Sequence, residues 1–310
     1  MRVIVIGAGV TGCYTAACLL GKGLDVLLLA RGDKATRLEH EGLRMRDGLT
    51  GEIATVPLNI VRAPVEETCD VVMICVQALH RSSLTPLLHE LPGRPTIWYL
   101  GNTTEGYDDA AEQLGRDRIL GGFPGVGGKW EGETLVYADR EKPADKPFDR
   151  LIIGEAHADA AAVADEVQSN LQEVGMNIER YSPIMAWHWC HLAMILPLAA
   201  AVYHHDQDLD AVVADRALLR QTIRAASQGL AAIRRAGYPI LPRGLNVMRW
   251  IPAALGVGRI AALLTSDFGR IAMAGHAQAA RDEMQHFATD LLTLAGANAG
   301  KDLRGLLDAI

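Results

Sequence analysis

Short apolar runs alternate with polar, helix-compatible stretches through the first half of the chain. From about residue 156 the pattern becomes helical throughout. Val3 to Ile6 and Val26 to Ala30 are strand runs flanking a helical stretch, and Leu58 to Arg62 is a shorter strand candidate. Cys69 to Val76 reads as a buried strand, Leu79 to Leu91 as a helix, Pro95 to Leu100 as a strand and Asp108 to Leu114 as a short helix. The sheet resumes at Ile119. Glycines and a proline then cluster between Gly121 and Gly128, read as a loop, before strand candidates at Thr134 to Ala138 and Leu151 to Ile153. Strands alternating with helices predict a parallel sheet with right-handed crossovers. In such sheets ligands lie beyond the carboxyl ends of the strands, which puts Val76, Gln77 and Asn102 at the ligand edge.

In the second half, Ala158 to Val174 is amphipathic. Ser182-Pro183 signals the start of a long helix through about Val202, with Pro183 in its first turn. Leu209 to Ala236 reads as one long helix stopped by Gly237 and Pro239, Leu245 to Met273 as a broken segment, and Gly275 to Leu294 as the last long helix. The expected organisation is an α/β domain over residues 1–155 followed by an all-α domain over 156–310.

The turn after the first strand carries the chemistry. Gly7-Ala8-Gly9-Val10-Thr11-Gly12 lies inside a strand–turn–helix–strand unit of about thirty residues, the size of a dinucleotide-binding unit of Rossmann type. Gly7 permits the tight turn, Gly9 lets the backbone approach a pyrophosphate, and Gly12 lets the helix pack close to the strand. The helix N-terminus then offers N–H groups and a partial positive charge to the phosphates. At the end of the second strand, NAD-preferring sites carry a carboxylate and NADP sites an arginine. Here Arg31 holds that place, with Asp33 expected further on in the loop, so NADPH is the expected cofactor.

Composition narrows the partners. A net charge of −7 gives no electrostatic reason to expect nucleic acid or an anionic membrane. The apolar stretch Leu192 to Val202 contains Pro197 and is too short to cross a bilayer. With a strand opening at residue 2, no targeting segment is expected and the protein is expected in the cytoplasm. The five cysteines are scattered without metal-ligand spacing, as buried reduced thiols would be. His204-His205-Asp206 reads as a solvated helix end rather than a metal site, so no metal is expected.

The chain resembles the ketopantoate (2-dehydropantoate) reductase family over nearly its whole length. The resemblance rests on the Gly7–Gly12 loop, Arg31, Asn102, the Gly122-Phe-Pro-Gly-Val-Gly-Gly128 segment, and Trp187 on a helix running into Pro197-Leu198. The segment Gly275 to Met284 looks like a divergent branch of that family. The resemblance implies NADPH-dependent reduction of a small α-keto acid, with a lysine on the first long helix of the second domain as general acid. That position falls on Trp189, or on His191 in the alternative register, and no lysine occurs between Lys146 and Lys301. The family's cofactor-side lysine is replaced by Gln77. Its asparagines further along the helix are missing, and its late glutamate falls near Gln278, with Asp282 and Glu283 a turn away.

His191 is the first candidate for the missing acid, since an imidazole with a reference pKa near ~6.5 can donate a proton at neutral pH. His276 is the second, and Asp282 or Glu283 would hold a histidine by hydrogen bonding. Helical spacing sets His188 and His191 on one side with Ile195, and Trp187, Trp189 and Tyr203 are candidate pocket aromatics. Asn102, beside the cofactor, would hydrogen-bond the nicotinamide amide or the substrate carbonyl. The expected activity is hydride transfer to a carbonyl of a small keto acid or related metabolite. An imine or iminium reductase on the same fold and a catalytically silent NADP-binding protein remain open alternatives. A homodimer is expected by analogy with the helical domains of such reductases.

Overall fold

The β-branched run at the N-terminus forms β1 (Arg2–Ile6), internal from Val3 onward. The chain turns straight into α1 (Val10–Gly21) and returns as β2 (Asp25–Leu29). The computed structural model describes residues 1–63, 68–139, 151–273 and 281–310. Two compact units make up the chain, Met1–Ile184 and Met185–Ile310.

In the first unit, α2 (Gly32–Glu41), β3 (Leu43–Asp47), β4 (Ile53–Val56), β5 (Asn59–Val61) and β6 (Val71–Ile74) follow β2. Then come α3 (Thr85–Glu90), β7 (Thr96–Leu100), α4 (Asp108–Leu114), β8 (Ile119–Pro124), β9 (Val126–Glu131), β10 (Thr134–Asp139), β11 (Leu151–Glu155), α5 (Ala161–Glu173) and β12 (Ile178–Arg180). Among the described residues, eight strands form the main sheet in the order β12-β11-β8-β7-β6-β1-β2-β5. It is parallel except where β11 runs against β8. Val3 of β1 lies level with Val26 and Val71, so the sheet's centre is a layer of β-branched side chains. Such doubly covered parallel strands read as continuous apolar runs, which is why they were visible in the sequence.

A second sheet, in the order β4-β3-β10-β9, goes beyond the sequence expectation, which held only its strand β10 at Thr134 to Ala138. It packs on α1, with the Tyr14 and Tyr137 rings 4.9 Å apart. The Gly121–Gly128 segment is accordingly two strands rather than a loop. Its glycines clear space for neighbours: a Cβ at Gly121 would lie 2.3 Å from the Tyr107 hydroxyl, and one at Gly122 2.4 Å from Trp98 Nε1. The stretch expected as a helix from Leu79 to Leu91 is two 3₁₀ turns leading into the six-residue α3. The first unit also runs past the boundary expected at residue 155. Strand β12 extends the sheet through β11, and α5 buries Ala164, Val167 and Leu171 in the same core.

The second unit is helical. Its first helix, α6 (Ile184–His204), begins one residue after Pro183 and carries Pro197 in its interior. At 21 residues it is long and apolar enough to cross a membrane by length and composition, unlike the shorter run read from the sequence. Within the structure 78% of its most apolar window is buried, as in the core helix of a folded domain. The helix expected over Leu209 to Ala236 is two, α7 (Leu209–Ala214) and α8 (Arg216–Arg235). Asp215 interrupts it, its carboxylate accepting from the N–H groups of Ala217 (3.1 Å) and Leu218 (2.9 Å) as an N-cap does. Helix α9 (Ala253–Thr265), a π turn at Gly269–Met273, and helices at Arg281–Ala295 and Lys301–Leu307 follow.

Asp302 ties that last helix to α8. Its buried carboxylate accepts two bonds from Arg224 (3.1 and 3.0 Å) and one from Gln228 (3.1 Å). The Arg224 guanidinium, first among the causes, holds the Asp302 carboxyl below its usual value. A depressed folded-state pKa stabilises the fold above the unfolded value of ~3.9 and stops doing so as pH falls through the folded value. Asp302→Asn is therefore expected to cost about 2 kcal/mol at neutral pH. In urea melts the gap from wild type should close as the solution is acidified below that range. A gap unchanged with pH would show that the ion pair is not its source.

Candidate functional site

The glycine turn sits where three parallel strands end together. The Gly7 N–H donates to Leu29 O of β2 (3.3 Å), and Cys75, following β6, donates to Ile6 O (2.8 Å). Gly7 has φ +112°, and a Cβ there would lie 2.8 Å from Cys75 O. A Cβ at Gly12 would lie 1.8 Å from Gly7 O, so only glycine lets the first turn of α1 close onto the strand. Gly9 is exposed, with no atom within 4 Å of where its Cβ would be. Ala8, Val10 and Thr11 flank it, half-buried. Helix α1 has no side-chain cap and no acidic residue in its first turn. The result is an exposed glycine turn backed by uncapped helix N–H groups, the kind of cradle that takes an anion such as a pyrophosphate.

Basic residues border this cradle. Arg31 is exposed and immediately precedes α2, with no side-chain capping bond to the helix. Asp33 lies in the first turn of α2, not in a loop, and is also exposed. Lys34 is the residue that sequence reasoning missed. Its ammonium donates to Ala8 O (3.2 Å) and sits 4.3 Å over the Trp130 ring, which fixes a positive charge at the lip of the glycine turn. Its spacing of three from Arg31 at a helix start was the available signal. Arg37 is committed elsewhere, to Glu133 at 3.0 Å.

The other residues predicted for this unit follow β6 and β7, and of these Val76 meets the glycine turn. Val76 Cγ1 stands 3.0 Å from the would-be Cβ of Gly7, so it packs under the turn. Gln77 is exposed just beyond it. Asn102 follows Gly101 (φ +132°) and is 5% exposed, with no hydrogen-bond partner for its Oδ1. Burial pushes the Cys13 and Cys75 thiols up to about 12, so both are neutral at physiological pH and neither is a nucleophile.

The second unit holds the imidazole candidates. The His191 ring stacks on Trp187, centroids 4.9 Å apart and planes within 10°. His191, Met194 and Ile195 form the less buried stripe of α6, whereas His188 is wholly buried beside Trp187. The two histidines thus occupy different environments despite their spacing. Trp187, Trp189 and Tyr203 are all core side chains, Trp189 packing on Tyr238 and Tyr203 beneath the Arg281 guanidinium. His276 and Gln278 lie outside the described residues, while Asp282 and Glu283 open the helix Arg281–Ala295. The His204 and His205 rings stand nearly perpendicular, and His205 leans on Asp215 at 3.5 Å. Among the described residues no group of three or more metal-binding side chains converges.

Residues 3–146 match the model of the family described as ketopantoate reductase PanE/ApbA. No curated protein sequence matches the chain significantly. Among solved structures, 2-dehydropantoate 2-reductase from Geobacter metallireducens GS-15 is similar at 18% identity, with a TM-score of 0.78 over 100% of this chain and 98% of that one. A PanE/ApbA family ketopantoate reductase from Ralstonia eutropha JMP134 is similar at 17% identity and a TM-score of 0.70, over 99% and 96% of the chains. D-mandelate dehydrogenase, in its ternary structure with NADH and anilino(oxo)acetate, is similar at 13% identity and a TM-score of 0.73, over 100% and 97%. At these identities the likeness is one of fold, and it extends over both units. The similarity to the ketopantoate reductase PanE/ApbA family in sequence is thus carried by residues 3–146, and beyond them by fold alone.

Proposed function

We propose that this chain is an NADPH-dependent reductase that converts the carbonyl of a small 2-keto acid to a hydroxyl. The observation that carries the reading is the glycine turn: Gly7 and Gly12 are sterically obligatory, and Gly9 faces open space at an uncapped helix end. That arrangement, inside the family-matched segment, fits a dinucleotide pyrophosphate. NADPH, when bound, supplies the hydride. The Gly7–Gly12 backbone would hold its pyrophosphate, Arg31 and Lys34 a 2′-phosphate, and Asn102 a carboxamide or the substrate carbonyl. His191 would deliver the proton to the developing oxyanion, with its ring steered by the Trp187 stack.

The test is dihydronicotinamide oxidation with ketopantoate and a panel of other small 2-keto acids, with the hydroxy acid identified by mass. Stoichiometric product from at least one of them supports the reading. Cofactor binding with no turnover of any would refute it in favour of a non-catalytic role. Cofactor choice is tested separately, because NADH is the dinucleotide of the similar mandelate dehydrogenase structure. Arg31→Ala with Lys34→Ala should weaken NADPH by roughly 10- to 100-fold, as loss of charge-assisted phosphate contacts does, and leave NADH within a factor of about three. Equal loss for both cofactors would mean these residues do not read the 2′-phosphate.

A further inference from the structure

Arg81 carries a charge that the fold does not use. It stands between the two 3₁₀ turns that follow β6, at the carboxyl edge of the main sheet. All three of its guanidinium nitrogens are sealed from solvent; the neutral Tyr107 hydroxyl lies against the group, and no carboxylate pairs with it among the described residues. The side chains set against it, those of Tyr99, Tyr107 and Cys75, are neutral. The guanidinium carbon is 5.5 Å from the centre of the Tyr99 ring. Burial raises the phenols of Tyr99 and Tyr107 and the thiol of Cys75, with Arg81 pulling all three the other way. The other cation of this region, Arg118, is tied to Leu114 O (2.6 Å) and Pro95 O (2.9 Å).

A buried cation without a counter-charge is a costly arrangement that native proteins keep for a reason, commonly a missing ligand. A second, independent observation lies beside it. Gly101 is the neighbour whose Cβ would come to 3.3 Å from Arg81 Nη2, and the next residue is Asn102, buried with an unsatisfied Oδ1. One side chain lacks a counter-charge and the other lacks a donor, at the strand ends where parallel sheets bind ligands. The cofactor's phosphates are served by the glycine turn, Arg31 and Lys34, after β1 and β2 rather than after β6 and β7.

We infer that Arg81 is the carboxylate-binding residue for a 2-keto acid substrate, with Asn102 Oδ1 beside it for a group that donates. A guanidinium fork matches a carboxylate in shape and charge, and its sealed setting strengthens the contact. It also supplies the cation that Gln77 does not. The inference rests on the reductase reading, and it adds the substrate's ionic group as the feature recognised.

The test compares wild type, Arg81→Met and Arg81→Lys on 2-ketoisovalerate and on its uncharged methyl ester. The expected result is a fall of about 100-fold in kcat/KM for the acid in Arg81→Met, a smaller fall in Arg81→Lys, and ester turnover and NADPH affinity within a factor of about three of wild type. Acid and ester falling together would make Arg81 a structural residue. Loss of NADPH affinity instead would make it a cofactor-phosphate ligand, and either overturns the inference. Calorimetry with 2-ketoisovalerate gives a readout without turnover. Binding that depends on Arg81 in a protein that reduces nothing would sink the reductase reading and leave the carboxylate site standing. Reduction of the acid at wild-type rate by Arg81→Met would do the reverse.

Discussion

The Gly12→Ala protein is expected to bind NADPH roughly 100-fold more weakly than wild type, a loss of about 2.8 kcal/mol. The cause is local and steric. The added methyl would have to sit 1.8 Å from Gly7 O, a backbone atom that cannot rotate away. Overpacking of this kind typically costs ~1–3 kcal/mol, relieved here by moving α1 off the strand. Such a shift turns the first-turn N–H groups away from the anion they are aimed at. Gly9→Ala provides the contrast. Its methyl meets nothing within 4 Å, so thermal stability should stay at the wild-type level while NADPH affinity falls from contact with the dinucleotide alone. Fluorescence titration and thermal melts on the two variants separate these effects. Wild-type affinity in Gly12→Ala would mean that the turn is not the dinucleotide site.

The second large effect is expected at His191. A positioned acid contributes about 10²- to 10⁴-fold to a proton-coupled step, so His191→Phe should lower kcat by that range. Phenylalanine preserves an aromatic ring on Trp187, where the stack is 4.9 Å and nearly parallel, and so removes the proton without removing the packing. NADPH affinity should be unchanged, because the residues assigned to the cofactor belong to the other unit. If kcat falls by less than about threefold, the proton comes from elsewhere, and His276 becomes the next residue to vary.

The parts of the fold that could be read from sequence are those in which burial imposes a repeat. Strands β1, β2, β6 and β7 lie inside the main sheet and show as apolar runs. Of the second sheet only β10 showed, as the strand candidate Thr134 to Ala138. Strand β3 reads Leu-Arg-Met-Arg-Asp, an alternation short enough to pass as a loop, and most of β4 is exposed. Strand β9 was hidden because its glycines serve tight packing, which composition cannot distinguish from turns. The break between α7 and α8 turned on one carboxylate choosing to cap, a local competition that the helical period does not report.

The site divides in the same way. The Gly7–Gly12 turn was legible because its chemistry is carried by glycines at fixed spacing. Asn102 was legible from its place at a strand end, although its unsatisfied oxygen was not. Lys34 and Arg81 were invisible as functional residues, since what marks them is a contact with Ala8 O in one case and the burial of a guanidinium in the other.

The central claim is tested most directly by a single turnover. Protein saturated with NADPH is mixed with ketopantoate or another small 2-keto acid, and the dihydronicotinamide absorbance is followed. The account predicts a decay stoichiometric with bound cofactor and a 2-hydroxy acid as product. A bound cofactor that stays reduced against every keto acid offered would contradict it.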